Sequence, residues 1–152
     1  MKIPRFYLDT SVFGGYFEPE FEKATRQLFA DLAQNRLVGL LSDTMLRELA
    51  KAPRGVADLR DTPGGSWELV YESAEALELA EAYLQADVVS RQFQTDCLHV
   101  AIATVCRADA LVSWNFRHIV QYHKIRAFNA VNLSQGYGAL DIRSPAEVVN
   151  YE

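Results

Sequence analysis

Residues 6–15, with the sequence FYLDTSVFGG, decide the fold that we predict for this chain. The first three residues are apolar and rich in aromatic rings, which is typical of a short buried β-strand. The strand ends in Asp9, and a carboxylate is costly to bury unless it is paired or holds a cation. Because ligands of open α/β sheets bind outside the carboxyl ends of the strands, we expect Asp9 to point into a cleft.

Two hydroxyl residues and a glycine pair follow this carboxylate. We expect Thr10 and Ser11 to place their hydroxyl groups at the rim of the cleft. We expect Gly14 and Gly15 to let the backbone turn sharply before a helix, because glycine tolerates backbone angles that other residues avoid. A plainer role for Asp9 is also open, since aspartate after a strand is commonly a helix N-cap or a turn residue.

The size and composition predict one globular domain that spans residues 1–152. A chain of 152 residues, 49% of them hydrophobic, is long enough to bury a sizeable core. The apolar stretches fall short of the roughly 20 residues that a membrane helix needs. Residues 1–5 run directly into the first predicted strand, so we expect no signal peptide.

Two further features limit the class of protein that the sequence can represent. Cys97 and Cys106 lack disulfide or zinc spacing, so we expect reduced thiols and a cytoplasmic protein without a membrane partner. The formal net charge is −5, which argues against a general nucleic-acid coat protein, because phosphate binding needs clustered lysine and arginine. This charge leaves room for a small local basic patch, and a metal site built from carboxylates would itself add negative charge.

Strand and helix patterns alternate along the rest of the chain. Further strands are predicted at residues 37–41, 67–71 and 110–114, with a late edge strand at 140–143. Helical patterns cover residues 20–35, 43–53, 73–84, 96–107 and 120–133, with short helices near 55–65 and from Ser144 onward. The alternation predicts an α/β fold in which a mostly parallel sheet lies between helices.

The helix predicted at residues 96–107 is apolar on nearly all sides. A helix of this kind lies buried in the middle of a domain. We expect Thr95 to be its N-cap, so that Asp96 stands in the first turn. His99 falls on the same face as Asp96, where it is expected to be a satisfied core histidine that lies within reach of the cleft.

Four oxygen-bearing side chains fall at corresponding places in this pattern. Asp9 ends the first strand, Glu48 lies in the helix after the second, Asp96 opens the buried helix and Asn115 follows the fourth strand. In a parallel sheet all four can meet at its carboxyl edge. Oxygen ligands without a neighbouring histidine or cysteine pair suit Mg²⁺ or Mn²⁺ rather than zinc.

These residues carry a resemblance to a known family. Residues 7–11, 46–49, 95–103 and 111–118 resemble, in order and spacing, the motifs of PIN domains, the fold of many metal-dependent ribonucleases that include VapC-like toxins. The resemblance implies a three-layer α/β/α sandwich and Mg²⁺- or Mn²⁺-dependent hydrolysis of RNA phosphodiester bonds. It also implies a homodimer and, for a toxin, an antitoxin protein as partner.

Carried over to this chain, the resemblance makes Asp9, Glu48 and Asp96 the acidic, metal-binding core, with Asn115 as the fourth catalytic residue. Many PIN domains have aspartate where this chain has Asn115, which keeps a carbonyl oxygen but loses a negative charge. The change predicts weaker metal affinity and puts a second metal in doubt. A subgroup of PIN-like proteins carries Trp-Asn-Phe-(Lys/Arg)-His here, so the change need not mean inactivity.

Residues beside this core have both functional and structural interpretations. Ser11 can bond a metal ligand or only its own backbone, and Arg117 and His118 can hold a phosphate or end a solvated helix. Glu48 has an alternative role as an ordinary exposed helix residue. The following aromatic residues can stack on bases, but they more often form a core or a dimer interface: Phe13, Tyr16, Phe17 and Trp114.

Two other functions remain open at this stage. A PIN-fold module with little turnover would bind RNA or a protein partner, which Asn115 and the acidic net charge favour. A phosphatase of the haloacid dehalogenase type also begins with aspartate at a strand end. That class requires a second acid two residues later, where this chain has Ser11, which argues against it.

Overall fold

The structure, a computed structural model, describes residues 2–149, so the predicted domain of residues 1–152 extends beyond it by Met1 and residues 150–152. Within the described part, five strands form one sheet whose neighbouring strands all run parallel. The strands are β1 (Arg5–Leu8), β2 (Val38–Ser42), β3 (Trp67–Val70), β4 (Ala110–Val112) and β5 (Ile142–Arg143). Their spatial order is β3-β2-β1-β4-β5, which puts β1 at the centre.

Helices flank the sheet and connect its strands. In chain order they are α1 (Thr10–Gly15), α2 (Glu22–Ala33), α3 (Asp43–Leu49), α4 (Arg54–Ala57), α5 (Ala74–Gln85), α6 (Gln94–Val105), α7 (Tyr122–Ser134) and α8 (Pro145–Val148). Short 3-10 helices occupy Asp58–Asp61 and Arg91–Phe93. This arrangement confirms the predicted three-layer α/β/α sandwich. None of the helices in residues 2–149 has the length and apolar character to cross a membrane.

The core lies on both sides of β1. Tyr7 and Leu8 are fully buried and belong to one hydrophobic cluster together with residues of the neighbouring strands and of α6. In α6 the apolar side chains are buried on nearly all sides, which confirms the predicted buried helix. Because β1 and α6 are buried, the polar residues at their ends lie at one defined edge of the sheet.

Two local predictions were wrong. Gly14 and Gly15 lie inside α1 rather than in a sharp turn, because helix α1 starts directly after Asp9. Thr95 lies within α6, whose N-cap is Phe93, because the 3-10 turn before it runs straight into the helix. Asp96 nevertheless stays in the first turn of α6, as predicted.

Gly15 is required for close packing rather than for an unusual backbone angle. A Cβ atom at this position would lie 2.6 Å from the indole of Trp114. That indole is held in place, because it stacks on Phe21 at 4.3 Å between ring centroids and its Nε1 donates to Thr25 Oγ1 over 2.8 Å. The small residue therefore lets α1 approach the segment that follows β4.

Replacing Gly15 with alanine is expected to lower the free energy of unfolding by about 1–3 kcal/mol, because the added methyl group overpacks a fixed neighbour. Urea unfolding measures the change. Gly14→Ala is the matched control, since a Cβ there meets only the Glu18 side chain at 3.7 Å and alanine favours a helix. Equal stability of the two variants would contradict this packing role.

Candidate functional site

The adjacent ends of β1 and β4 bring Asp9 beside Ser113. Leu8 pairs with Val112 in the sheet, so the next residue on each strand emerges at the same edge. Asp9 is only 4% exposed. Its Oδ2 accepts a hydrogen bond from Ser113 Oγ at 2.7 Å, and its Oδ1 accepts one from Ser11 Oγ at 2.5 Å. The buried carboxylate is therefore satisfied by two hydroxyl groups, and no positively charged side chain in residues 2–149 is hydrogen-bonded to it.

The simpler role proposed for Asp9 does not account for this geometry. Asp9 occupies the N-cap position of α1, but its side chain makes no capping hydrogen bond. Ser11 Oγ also accepts the backbone N–H of Trp114 at 2.9 Å, so this hydroxyl bridges α1 to the loop after β4. The local structure thus holds the Asp9 carboxylate in a fixed place rather than using it to cap the helix.

Glu48 reaches the same region from α3. Its side chain is 36% exposed, and its Oε1 lies 2.6 Å from His99 Nε2 and 3.3 Å from Thr10 Oγ1. The contact with His99 joins α3 to the buried helix α6. Glu48 is therefore neither a simple surface residue nor a core residue but a side chain anchored at the mouth of the cleft.

His99 is a buried histidine whose two ring nitrogens both have partners. It is 2% exposed, and its Nδ1 lies 2.6 Å from the hydroxyl of Tyr7. That hydroxyl in turn lies 2.7 Å from Ser42 Oγ on β2. The prediction of a satisfied core histidine is confirmed, and the structure adds its direct contact with Glu48.

Asp96 and Asn115 complete the group of four predicted residues. Asp96 lies half-buried in the first turn of α6, close to Asn115, Glu48 and the imidazoles of His99 and His118. Asn115 is fixed by two hydrogen bonds, since its Oδ1 accepts from the His118 N–H and its own N–H donates to Ser113 Oγ, each at 2.9 Å. The structure therefore brings Asp9, Glu48, Asp96 and Asn115 to one edge of the sheet.

Burial dominates the electrostatics of this edge. It raises the pKa of Asp9, and His99 and the serine hydroxyls offset the rise only in part. Burial likewise raises the pKa of Asp96 against the lowering effect of His118, His99 and Asn115. The charge of Glu48 adds to both increases. For His99, burial opposes the charged form, but Glu48, Asp9 and Asp96 outweigh it and raise the pKa.

The donor set fits a hard divalent cation in its chemistry. Glu48 is close enough to Asp9 and to Asp96 to raise the pKa of each, and Asn115 adds a carbonyl oxygen. As the side chains stand in residues 2–149, no three carboxylate, histidine or cysteine groups form a ready cluster for a metal ion. Glu48 has the longest side chain of the three carboxylates, and its Oε1 is hydrogen-bonded to His99.

A basic and aromatic flank adjoins the acidic residues. The imidazole of His118 stacks on the ring of Phe93, with centroids 3.9 Å apart, and lies near enough to Asp96 to lower its pKa. Arg117 is exposed, and its Cζ lies 5.9 Å from the centroid of the same ring. Phe93 thus holds both predicted phosphate-binding residues beside the carboxylates.

The aromatic residues considered for base stacking divide into two groups. Phe13 is fully buried, and Trp114, in the loop after β4, stacks on Phe21 at the side of the core. Phe17 and Phe116 are each 48% exposed. The sequence alone did not single out Phe116, although its place directly after Asn115 is a signal that could have done so.

The sequence interpretation also missed Tyr7, Ser42, Ser113 and Phe93 as supports of the site. Tyr7 stands two positions before Asp9 and therefore on the same face of β1, which is a signal that the sequence does carry. Ser113 could be inferred only from the pairing of β1 with β4. Ser42 supports the site by its contact with Tyr7, and Phe93 by its contact with His118. Neither contact could be inferred, because the partners are far apart in the chain.

The fold and this edge define the protein as a three-layer α/β/α protein with a buried acidic site at the carboxyl end of its central strand. No protein-family model matches the sequence, and no curated protein matches it either. Among solved structures it is similar to a chain of VapBC2 from Rickettsia felis, in a crystal structure bound to a DNA fragment from their promoter. The TM-score is 0.54 with 15% identical residues, over 92% of this chain and 98% of that chain. The similarity confirms the PIN-like fold expected from the sequence motifs.

Replacing Asp9 with asparagine is expected to raise the thermal transition at pH 7. Because burial raises the pKa of Asp9, protonation of this carboxyl favours the folded state, and that stabilisation is lost as the pH rises through the raised pKa. Asparagine mimics the neutral form, so its advantage should shrink as the pH falls toward the ordinary aspartate pKa of about 4. Differential scanning calorimetry across this pH range measures both effects.

The control for this prediction is Asp31→Asn. Asp31 is 5% exposed but forms an ion pair with Arg36 at 3.1 Å, so its replacement should lower the transition instead. A lower transition for Asp9→Asn at pH 7 would contradict the view that Asp9 is kept at an energetic cost.

Proposed function

We propose that this chain is a Mg²⁺- or Mn²⁺-dependent endoribonuclease that hydrolyses RNA phosphodiester bonds. The observation that supports it most is the buried Asp9 carboxylate at the end of the central strand, with Glu48, Asp96 and Asn115 gathered beside it. The fold shared with a VapBC2 chain supports the same proposal. A burial that raises the pKa of two neighbouring carboxyls is typical of a functional site.

Asp9, Glu48 and Asp96 would hold the cation, with the Asn115 carbonyl oxygen assisting. When bound, such an ion activates water and stabilises the charge that develops on a phosphodiester. The serine hydroxyls that bond Asp9 keep its carboxylate oriented. Glu48 would supply the remaining carboxylate from α3, on the more exposed side of the site.

Arg117 and His118 would contact the phosphates of the substrate. An acidic site repels a polyanion, so a positive flank is needed to bring RNA to it. Arg117 is exposed next to the ring of Phe93, and His118 stacks on the same ring near Asp96. Ser11, the third predicted substrate contact, has its hydroxyl committed to Asp9 and Trp114 and would act through Asp9.

The chain would act as the toxin of a toxin–antitoxin pair in the cytoplasm, with an antitoxin protein as partner and a second copy of itself in a homodimer. The similar VapBC2 structure supports the antitoxin part of this proposal. An antitoxin that covers the acidic edge would block both the carboxylates and the basic flank.

A second candidate is a PIN-fold module of low turnover that binds RNA or a protein partner. The observation that favours it is Asn115 in place of a fourth carboxylate, together with side chains in residues 2–149 that are not closed into a metal cluster. The two candidates differ in one requirement. Only the enzyme needs Mg²⁺ or Mn²⁺ bound by Asp9 and Asp96.

The nuclease proposal predicts metal-dependent cleavage that Asp96→Asn abolishes. Labelled single-stranded RNAs, structured RNAs and single-stranded DNAs are incubated with Mn²⁺, Mg²⁺ or EDTA, and products are resolved on a denaturing gel. Wild-type cleavage is expected with Mn²⁺ or Mg²⁺ and not with EDTA. The cleavage rate of Asp96→Asn should be at least about 100-fold lower than that of the wild type, because the variant lacks a charge that would position the cation.

The matched control is Asp87→Asn, which alters an exposed aspartate with φ 56°, a backbone angle that asparagine also tolerates. It should cleave as the wild type does. Equal cleavage by wild type and Asp96→Asn would place the activity outside this site. Mn²⁺ binding without any cleavage of the panel would favour the module of low turnover.

A further inference from the structure

We propose that His99 is a positioning residue that fixes the Glu48 carboxylate, and that Tyr7 and Ser42 fix His99 in turn. This inference rests on the proposed nuclease function, since it concerns the carboxylate with the longest side chain of the three expected to hold the cation. It assigns a role to a buried polar chain that runs from the centre of the sheet to the cleft.

The chain is continuous and almost fully buried up to its last member. Ser42 on β2 and Tyr7 on β1 are both 0% exposed, and their oxygens lie 2.7 Å apart. The Tyr7 oxygen lies 2.6 Å from His99 Nδ1, and His99 Nε2 lies 2.6 Å from Glu48 Oε1. Each separation is a good hydrogen-bond distance.

One arrangement of hydrogens satisfies every member of the chain. Ser42 Oγ accepts the backbone N–H of Met45 at 3.1 Å and donates its own hydrogen to Tyr7. Tyr7 then donates to His99 Nδ1, and the Nε2–H of His99 donates to Glu48. Because buried polar groups are costly without partners, this arrangement selects the tautomer that presents an N–H to the cleft.

Glu48 has one more rotatable side-chain bond to fix than the two aspartates. Asp9 is held by two serine hydroxyls, and Asp96 stands in the first turn of the buried helix α6. Glu48 has a longer side chain, 36% exposed, on a helix of seven residues. Within the described residues its hydrogen bonds fall on Oε1, which leaves Oε2 available to a cation.

This geometry follows the general pattern in which a ligating carboxylate is oriented by a hydrogen bond from behind. The tilted contact between the Tyr7 and His99 rings, with centroids 5.7 Å apart, restricts the imidazole further. Because Tyr7 and Ser42 belong to adjacent, buried strands, the position of Glu48 is tied to the centre of the sheet.

The experiment measures Mn²⁺ affinity by electron paramagnetic resonance, with kcat and KM for RNA cleavage measured alongside. The variants are His99→Leu, His99→Gln and Tyr7→Phe. His99→Leu should weaken Mn²⁺ binding by about 10–100-fold, the usual effect of losing a group that orients a ligand. The loss should appear in kcat more than in KM, because Glu48 would hold the cation and not the RNA.

The other two variants separate the parts of the chain. His99→Gln keeps an N–H donor for Glu48 and should recover most of the Mn²⁺ affinity. Tyr7→Phe leaves the His99–Glu48 contact but frees the imidazole, so its affinity should fall between those of the wild type and His99→Leu.

Tyr83→Phe is the matched control for Tyr7→Phe. It removes a buried tyrosine hydroxyl that bonds Asn132 and Thr104, in a network that does not include the acidic residues. It should lower thermal stability and leave Mn²⁺ affinity unchanged. If His99→Leu fails to fold, the comparison of Tyr7→Phe with Tyr83→Phe decides the matter, since only the first should weaken Mn²⁺ binding.

The outcomes distinguish this inference from the proposed function. A wild-type protein that neither binds Mn²⁺ nor cleaves RNA overturns both. If the wild type does both, and folded His99→Leu and Tyr7→Phe bind Mn²⁺ as tightly as it does, only the positioning role is overturned. Weakened binding in these variants, with recovery in His99→Gln, supports it.

Discussion

The candidate site is built around one carboxylate that is buried at the end of the central strand, at a cost to stability. Asp9 is only 4% exposed, and its hydrogen bonds come from the neutral hydroxyl groups of Ser11 and Ser113 rather than from a cation. Such burial works against the ionised form and raises the pKa of Asp9. A fold that needed only a cap at this position would use the side chain to cap α1, which Asp9 does not do. The cost is understandable if the carboxylate serves a ligand that the folded chain alone does not contain.

The architecture could be predicted from the sequence because its signals are local and repeated. Apolar runs alternate with helical patterns, and that alternation led to a parallel sheet between helices, which the structure has. The buried α6 was also predicted, because apolar residues cover nearly all its sides. The start of α6 and the place of Gly14 and Gly15 were predicted wrongly because both helices begin earlier than the local pattern indicates. A 3-10 turn runs straight into α6, and α1 starts directly after Asp9.

For the candidate site, the sequence indicated residues that the structure brings together, but not the contacts that connect them. Asp9, Glu48, Asp96 and Asn115 were named from their places after strands and in helices, and the structure gathers them at one edge. The supports could not be found in this way. His99 contacts Tyr7 and Glu48, which are 92 and 51 positions away in the chain. Likewise, Ser113 reaches Asp9 only because β4 lies beside β1. Such contacts are set by strand order, which hydrophobic patterning does not encode.

The central claim is that Asp9, Glu48 and Asp96 form one cation site. The most direct test is to soak crystals of the protein in Mn²⁺ and to record anomalous diffraction near the manganese absorption edge. The account predicts an anomalous peak among these three carboxylates, with Glu48 still bonded to His99 through Oε1. Peaks only at surface carboxylates such as Asp87, with Asp9 and its serine partners unchanged, would contradict the account.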